Sequence, residues 1–253
     1  MSKYSIIIPA YNEELFLPNT FAAIRRAEAA LGEPVEIIVA DNMSKDSTVE
    51  VARELGAKVV QEETRCIGVV RNRAVRDAAG EVLIFLDADD CMSENMLVEI
   101  RKVMDSGKYI GGGVARTIYE RNSPGIYVTH GLLRFRLWIA GISLFLMYTT
   151  REAFDAIGGY NVTMKAGEDF ELGAKLRALG KTRGQKFMNL KTAWLAKSAR
   201  KFDEYGDWAT FKNPRFTLKA MRNEPDAIHE IWYKERRAPA AANDADTTSS
   251  RES

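Results

Sequence analysis

The chain contains little cysteine and carries almost no net charge. Its 253 residues include only Cys66 and Cys91, without CxxC spacing, which excludes a disulfide scaffold and favours reduced thiols in the cytosol. The 36 Lys and Arg residues are balanced by 35 Asp and Glu residues, for a formal net charge of +1. The overall charge therefore gives no argument for nucleic acid, and we expect no nucleic-acid partner.

Long apolar runs are also missing. The most hydrophobic stretch, 137–148, has 12 residues, whereas a helix that spans a bilayer needs about 20. We expect this stretch to be buried or interfacial, or to form the contact of a homodimer. The N-terminal residues lack the apolar segment and cleavage site of a signal peptide, so we expect a cytoplasmic protein.

The composition is that of a globular protein, with 46% hydrophobic and 28% charged residues. It excludes a disordered chain and a collagen-like repeat. We predict a single domain over 1–237, divided into halves at 1–115 and 116–237. The small, polar segment 238–253 is predicted to be a disordered tail.

Strand-like and helix-like periodicities alternate along the first ninety residues. The predicted strands are 4–8, 35–40, 57–60 and 81–86, and the predicted helices are 14–31, 47–55 and 68–79. This alternation predicts a parallel sheet covered by helices on both faces. Further on, the pattern predicts helices at 94–106, 151–157 and 168–179, a strand at 109–119, and a loop with one apolar helix at 120–146.

Polar clusters follow three of the predicted strands, at 9–14, 41–48 and 87–90. Ligands of open α/β sheets bind beyond the carboxyl ends of the strands, so these clusters are expected to converge on one ligand. Asp87 and Asp89 are two carboxylates that would repel each other without a cation between them, and a divalent ion bridged to a phosphate satisfies both. The alternative is that these residues are turn formers and helix caps, which applies most directly to Ser44, Asp46 and Ser47.

Five segments, in order, resemble glycosyltransferase family 2: SIIIPAYNEE, EIIVADNMSKDST, RNRAV with AAGEVLIFLDADD, REAFDAIGGY and GEDFEL. They extend from Ser5 to about Leu172, which is roughly two-thirds of the chain. The resemblance implies the α/β GT-A fold: a Rossmann-like, mostly parallel central sheet flanked by helices, with a smaller acceptor-side region and a helical C-terminal segment.

The resemblance also implies a donor site for a nucleotide sugar. Asp41 would bind the base, commonly uracil, although Asn42 stands where the family usually has a second acidic residue. Asp89 and Asp87 would bind Mn²⁺ or Mg²⁺, with Asp89 the more direct ligand. Arg71 would lie near the phosphates, unless it is a helix-surface arginine paired with a carboxylate. The implied donor-binding residues are Pro9, Tyr11, Glu13, Asp41, Arg71, Asp87 and Ala88.

The segment Gly167-Glu-Asp169 matches the block that supplies the catalytic base. The resemblance implies Asp169 as the base, with Glu168 as the alternative or as a ligand of the sugar. Gly159 and Tyr160 would lie beneath the sugar, on the acceptor side. The alternative is that the acidic pair only complements the dipole at the start of a helix.

The C-terminal third is basic. Between Lys175 and Asn223 there are 13 basic and three acidic residues, interleaved with aromatic side chains. This composition fits contact with anionic lipid headgroups, a lipid-linked diphosphate acceptor or the donor phosphates, and equally a solvated surface. Arg200 and Lys201 are placed on the acceptor or phosphate side. His229 is either a further metal ligand or a surface residue.

The sequence thus predicts a metal-dependent, inverting glycosyltransferase that uses a UDP-sugar. The expected acceptor is a saccharide or a lipid-linked intermediate in cell-surface polysaccharide or glycolipid synthesis, with peripheral contact to the inner face of the cell membrane. Three alternatives stay open: transfer to polyprenyl phosphate, a catalytically silent binding subunit, and a nucleotidyltransferase.

Overall fold

The computed structural model describes residues 2–119, 123–125, 128, 145–164, 167–198 and 206. The described strands are β1 (Tyr4–Ala10), β2 (Val35–Asp41), β3 (Lys58–Gln61), β4 (Val82–Phe85), β5 (Asp90–Met92), β6 (Tyr109–Tyr119), β7 (Met147–Thr150) and β8 (Lys186–Lys197). The described helices are α1 (Leu17–Leu31), α2 (Thr48–Glu54), α3 (Ile67–Asp77), α4 (Met96–Asp105), α5 (Arg151–Ala156) and α6 (Glu168–Thr182). The predicted tail, Arg200, Lys201 and His229 lie outside the described residues.

The eight described strands form one mixed sheet in the order β3-β2-β1-β4-β7-β6-β8-β5. The ladders β1–β2, β2–β3, β1–β4 and β6–β8 are parallel, and β4–β7, β6–β7 and β5–β8 are antiparallel. From β1 to β3 each new strand is added on one side of β1, and β4 is then added on the opposite side of β1. This reversal opens a crevice at the carboxyl ends of β1 and β4, where open sheets bind their ligands.

Both faces of the sheet are buried, which explains why β1 is a nearly continuous apolar run. Tyr4, Ile6 and Ile8 face one hydrophobic core, which they share with α1 and α4. Ile7 faces the other core, which includes side chains of α3, α5 and α6. The strand ends are therefore fixed from both sides, and the loops that follow them are held in place by the core.

The elements predicted for the first ninety residues are all present, with ends shifted by at most three residues. The sequence did not predict β5, β7 or β8. The end of the apolar stretch 137–148 forms part of β7, in the interior of the sheet, and Tyr148 is fully buried there. Lys186–Lys197, which we treated only as part of a basic region, forms the long strand β8.

Gly112 allows the close packing of β6 between β7 and β8. A Cβ atom at this position would overlap the carbonyl oxygen of Met188 and lie 2.5 Å from the hydroxyl of Tyr148. The Tyr148 side chain crosses over Gly112, and its hydroxyl donates a hydrogen bond to the Met188 carbonyl (2.9 Å). The glycine is thus required by close packing within a continuous strand.

Among the residues that the structure describes, no helix is both long enough and apolar enough to cross a bilayer.

Candidate functional site

Arg71 lies at the centre of the candidate site and contacts three carboxylates. Its Nη1 donates to Oδ1 of Asp169 (2.8 Å) and to Oε1 of Glu168 (3.2 Å), and its Nη2 donates to Oδ1 of Asp87 (2.9 Å). The arginine side chain is only 4% exposed. The guanidinium therefore joins the loop after β4 to the first turn of α6. Asp87 is 16 residues from Arg71 in sequence and Asp169 is 98 residues away, yet both contact it.

Tyr160 contacts both the arginine and the acidic pair. Its hydroxyl donates to Oδ1 of Asp169 (2.9 Å), and the guanidinium carbon of Arg71 lies 5.1 Å from the centre of its ring. The ring packs edge-on against Phe85 at 5.1 Å and lies 6.0 Å from Phe154. Tyr160 is 1% exposed, so its hydroxyl faces Asp169 from within the core.

The backbone of Tyr160 is held by Asn72, one residue after Arg71 on α3. Asn72 Nδ2 donates to the Tyr160 carbonyl (2.8 Å), and the Tyr160 N–H donates to Asn72 Oδ1 (3.0 Å). Gly159 precedes this contact with a φ of +68°, and a Cβ there would lie 2.8 Å from Asn72 Oδ1. Only glycine suits this position, because both the backbone angle and the available space exclude a side chain.

Burial and the negative charge of neighbouring carboxylates raise the pKa values of Glu168 and Asp169. Burial, with the negative charge of Asp169, raises the pKa of Glu168 to about 7, and Arg71 opposes the shift. Burial also raises the pKa of Asp169, against the lowering effects of Arg71 and of the hydrogen bond from Tyr160. One guanidinium cannot fully compensate three carboxylates, so the pair holds a proton closer to neutral pH than ordinary carboxyl groups do.

A second cation lies on the other side of the Asp87–Asp90 turn. Lys197, the last residue of β8, places its Nζ 2.6 Å from Oδ2 of Asp90 and 3.7 Å from Oδ2 of Asp87. Asp90 is 1% exposed, and burial raises its pKa to about 8 against the opposing charge of Lys197. The other oxygen of Asp90, Oδ1, is buried and has no hydrogen-bond partner among the described residues.

Four residues assigned to the donor site lie at the ends of β1 and β2, namely Pro9, Tyr11, Glu13 and Asp41, and Ala88 lies after β4. Tyr11 is buried beneath the guanidinium of Arg65, whose carbon lies 4.4 Å from the centre of the tyrosine ring. Glu13 and Asp41 are also buried. Pro9 lies within β1, partly exposed, and Ala88 is buried with its carbonyl accepting from Thr20 Oγ1 (2.7 Å).

The turn after β2 is held by its own polar side chains. Ser44 N–H donates to Asp41, and Ser44 Oγ accepts from the Asn12 N–H (3.0 Å). Asp46 accepts from the backbone N–H of Thr48 (3.1 Å) and from that of Glu14 (3.3 Å). These are the contacts of turn formers, which was the alternative interpretation of Ser44 and Asp46.

Asn42, which differs from the family pattern, uses its amide within the protein. Its Nδ2 donates to the carbonyls of Glu62 (2.6 Å) and Thr64 (3.1 Å). Both donor hydrogens of the amide are therefore directed at the backbone after β3, which leaves Asp41 as the acidic side chain of this pair of residues.

The acidic residues fit a divalent cation through their charge and their donor atoms. Within the described part of the chain, no three His, Cys, Asp or Glu side chains form a ready-made cage. However, five carboxylates of the described residues (Asp87, Asp89, Asp90, Glu168 and Asp169) surround the two cations Arg71 and Lys197. Mg²⁺ and Mn²⁺ prefer such oxygen donors and often take one or two carboxylates together with substrate phosphates.

Sequence reasoning named Arg71, Asp87, Glu168 and Asp169 separately, and the structure brings all four into direct contact. It missed Asn72 and Lys197. Asn72 carried a detectable signal, since it is the residue after Arg71 in the matched segment RNRAV. Lys197 carried none, because its contact with Asp90 depends on the unpredicted pairing of β5 with β8.

The sheet, its switch-point crevice and the carboxylates around it define the GT-A fold, and solved structures of similar proteins share it. The family model of glycosyl transferase family 2 matches residues 5–165, and the chain belongs to this family. The poly(ribitol-phosphate) beta-N-acetylglucosaminyltransferase TarS of Staphylococcus aureus is 26% identical over 153 residues, covering 54% of this chain and 26% of TarS. The chain thus matches about a quarter of the length of this relative.

Three solved structures illustrate the shared fold. TarS with UDP-GlcNAc superposes with a TM-score of 0.58 at 21% identity, covering 78% of this chain and 58% of that one. The mannosyltransferase PcManGT of Pyrobaculum calidifontis, with GDP-Man and Mn²⁺, has a TM-score of 0.63 at 18% identity, covering 91% and 68%. Glucosyl-3-phosphoglycerate synthase of Mycobacterium tuberculosis, with Mn²⁺, UDP and phosphoglyceric acid, has a TM-score of 0.54 at 20% identity, covering 87% and 78%.

Proposed function

We propose that the chain transfers a sugar from a UDP-sugar, with a divalent ion and with inversion, to a saccharide or lipid-linked acceptor of cell-surface polysaccharide or glycolipid synthesis. The observation that carries the proposal is the position of Arg71. It contacts Asp87 of the acidic turn through one nitrogen and Asp169 through another. A donor diphosphate at the turn and an acceptor at Asp169 would therefore lie next to each other, as a direct displacement requires.

Asp169 is the proposed general base. It is 18% exposed, whereas Glu168 is 7% exposed, so Asp169 is the more accessible to an acceptor hydroxyl. Its raised pKa brings it closer to the operating pH, which favours proton transfer. Arg71 and Tyr160 hold Oδ1 of this carboxylate in place from two directions.

The reaction is a single displacement. Asp169 takes the proton from the acceptor hydroxyl while that oxygen forms a bond to the anomeric carbon, and the bond from this carbon to the diphosphate oxygen breaks. Attack from the face opposite the leaving group inverts the anomeric configuration. A divalent ion held by Asp89 and Asp87 would neutralise the charge that develops on the departing nucleoside diphosphate.

The donor class is supported by the relatives as well as by the site. TarS was solved with UDP-GlcNAc and the mycobacterial synthase with UDP, while PcManGT was solved with GDP-Man. Asp41 is buried at the end of β2, where the family resemblance implies contact with the base. UDP is therefore the first nucleotide to test, and GDP and CDP serve as comparisons.

The test is a calorimetric titration of the wild-type chain, two site variants and one control variant with UDP, GDP and CDP, in Mn²⁺ and in EDTA. Asp89→Asn should weaken Mn²⁺-dependent binding about tenfold or more, since it removes a charged ligand. Asp169→Asn should leave that binding within about twofold but slow sugar transfer about 10²- to 10⁴-fold. Asp105→Asn, which alters an exposed carboxylate paired with Lys3, is the control and should change neither.

Transfer is measured with UDP-sugars and a panel of saccharide and polyprenyl-phosphate acceptors, and the anomer of the product is read by NMR. Undiminished transfer by Asp169→Asn would refute its role as the base. Nucleotide binding without transfer to any acceptor would favour a silent binding subunit. Transfer to polyprenyl phosphate alone would replace the proposed acceptor with that lipid.

A further inference from the structure

Lys197 lies next to the acidic turn formed by Asp87–Asp90. Its ammonium is hydrogen-bonded to Asp90 at 2.6 Å and lies 3.7 Å from Oδ2 of Asp87. The opposite oxygen of Asp87, Oδ1, accepts from Arg71. Asp87 therefore lies between two cations, of which Arg71 also contacts the acidic pair of α6.

The position of Lys197 is fixed by the sheet. Its backbone pairs with Asp90 of β5 on one side and with Tyr119 of β6 on the other. Its Nζ also lies 5.3 Å from the centre of the Phe145 ring. The Lys197 side chain is nevertheless 19% exposed and that of Asp87 is 35% exposed, so the ion pair borders solvent on the side of Asp87.

Structural stability by itself gives little reason for such a pair. A buried ion pair is often no more stabilising than apolar residues of the same size, because both charges must be desolvated. Here the pair leaves Oδ1 of Asp90 buried without a hydrogen-bond partner among the described residues. A lysine ammonium is, however, a suitable point charge for a phosphate.

We propose that Lys197 binds the diphosphate of the nucleotide sugar and so shares with the divalent ion the neutralisation of its charge. The inference rests on the proposed function, since it requires a nucleotide diphosphate at the Asp87–Asp90 turn. Without a donor, Asp90 and Asp87 hold the ammonium at the rim of the site. When the donor binds, its phosphate oxygens take over part of the contact that these carboxylates make with Lys197.

The proposal makes a prediction for the divalent ion that is measured without any turnover. Lys197→Met keeps an unbranched side chain of similar length and removes the charge. Mn²⁺ alone, titrated by the EPR signal of the free ion, should bind the variant several-fold more tightly, because a repelling charge near Asp87 is gone. UDP should bind about tenfold more weakly in Mn²⁺, and by a larger factor in EDTA, where no other cation replaces the lysine.

Two further variants separate a phosphate contact from a structural role. Lys186→Met removes an exposed lysine at the other end of the same strand and should change neither affinity. Asp90→Asn releases the ammonium from its carboxylate partner, so in EDTA, where no divalent ion contributes, UDP should bind as tightly as to wild type or more tightly. If Lys197 only positioned the turn through Asp90, the loss of UDP affinity in EDTA would be the same in Asp90→Asn and Lys197→Met, and the proposal would be overturned.

The outcomes also distinguish this inference from the proposed function. Wild-type protein that binds none of UDP, GDP and CDP would refute both. If Lys197→Met binds UDP as tightly as the wild-type protein does, in Mn²⁺ and in EDTA, only the role of Lys197 is refuted. If Lys197→Met fails to fold, the double variant with Asp90→Asn removes both charges of the pair, and the same weak UDP binding is expected.

Discussion

Asn72 holds the backbone of Tyr160 through a pair of hydrogen bonds, one donated and one accepted by its amide. Tyr160 in turn donates from its hydroxyl to Asp169. The amide of α3 thus fixes the residue that fixes the proposed base. In these hydrogen bonds Asn72 acts on Asp169 only through Tyr160, so we regard it as a positioning residue.

Asn72→Ala should therefore separate catalysis from donor binding. It leaves the N–H and C=O of Tyr160 without these partners, which should lower the free energy of unfolding by about 1–3 kcal/mol. We expect kcat to fall about ten- to hundredfold through misplacement of Asp169, with UDP affinity within about twofold of wild type. Asn19→Ala, on the exposed side of α1, is the control. An equal loss of UDP affinity and kcat would argue against a positioning role.

Tyr160→Phe should shift the acid limb of the pH–rate profile to higher pH. The hydroxyl stabilises the ionised form of Asp169, so removing it raises the pKa of that carboxyl further. The base is then protonated over a wider range of pH, while the ring keeps its contacts with Phe85 and Phe154. kcat measured from pH 5 to 9 tests this, with Tyr109→Phe as the control. An unshifted acid limb would show that the ionisation of Asp169 does not govern the rate.

Arg71→Met should destabilise the fold in a way that depends on pH. Three carboxylates lose their buried partner, at a cost of about 3–5 kcal/mol near pH 8. Acid protonates those carboxylates and relieves their repulsion, so the deficit should shrink toward pH 5. Denaturant unfolding at both pH values measures the effect. The control is Arg73→Met, two residues along α3, where Arg73 forms a half-exposed ion pair with Asp77; it should lower the free energy of unfolding by no more than about 0.5 kcal/mol. A loss of stability in Arg71→Met that does not depend on pH would contradict the prediction.

Glu168→Gln should stabilise the protein at high pH and not at low pH. The pKa of Glu168 is raised in the folded protein to about 7 from an ordinary value of 4.5, so its contribution to stability is complete below pH 4.5 and is lost as pH rises through 7. The neutral amide avoids this loss, and a gain of about 1–3 kcal/mol is expected at pH 8. The thermal midpoint at pH 5 and pH 8 tests it against Glu54→Gln, which alters an exposed residue of α2. A gain of equal size at both pH values would mean that ionisation is not its cause.

Local patterns predicted the first half of the fold well. The runs that became β1, β2 and β4 are apolar on both faces because helices cover both sides of the sheet, and that burial is visible as a continuous hydrophobic segment. The strand-end motifs were equally visible, since Asp87 and Asp89 follow β4 directly. These inferences needed only neighbouring residues.

The strands that escaped prediction have no such local signal. β8 contains Lys186, Lys191 and Lys197, and its alternation is interrupted where its register with β6 shifts between Val114 and Arg116. β5 has three residues and begins with a buried aspartate. Their stability comes from ladders with distant strands, so the sequence around them resembles a basic surface or a turn.

The sequence by itself determined the element order of the first half, the family to which the chain belongs and the residue types of the candidate site. Only the tertiary structure decided which of those residues touch. The sequence around Arg71 is equally compatible with a surface arginine. Its burial among Asp87, Glu168 and Asp169 requires that α3, the end of β4 and α6 meet at one crevice. Lys197 meets Asp90 only because β8 pairs with β5. Both contacts join residues distant in sequence, whose interaction depends on the packing of the whole sheet.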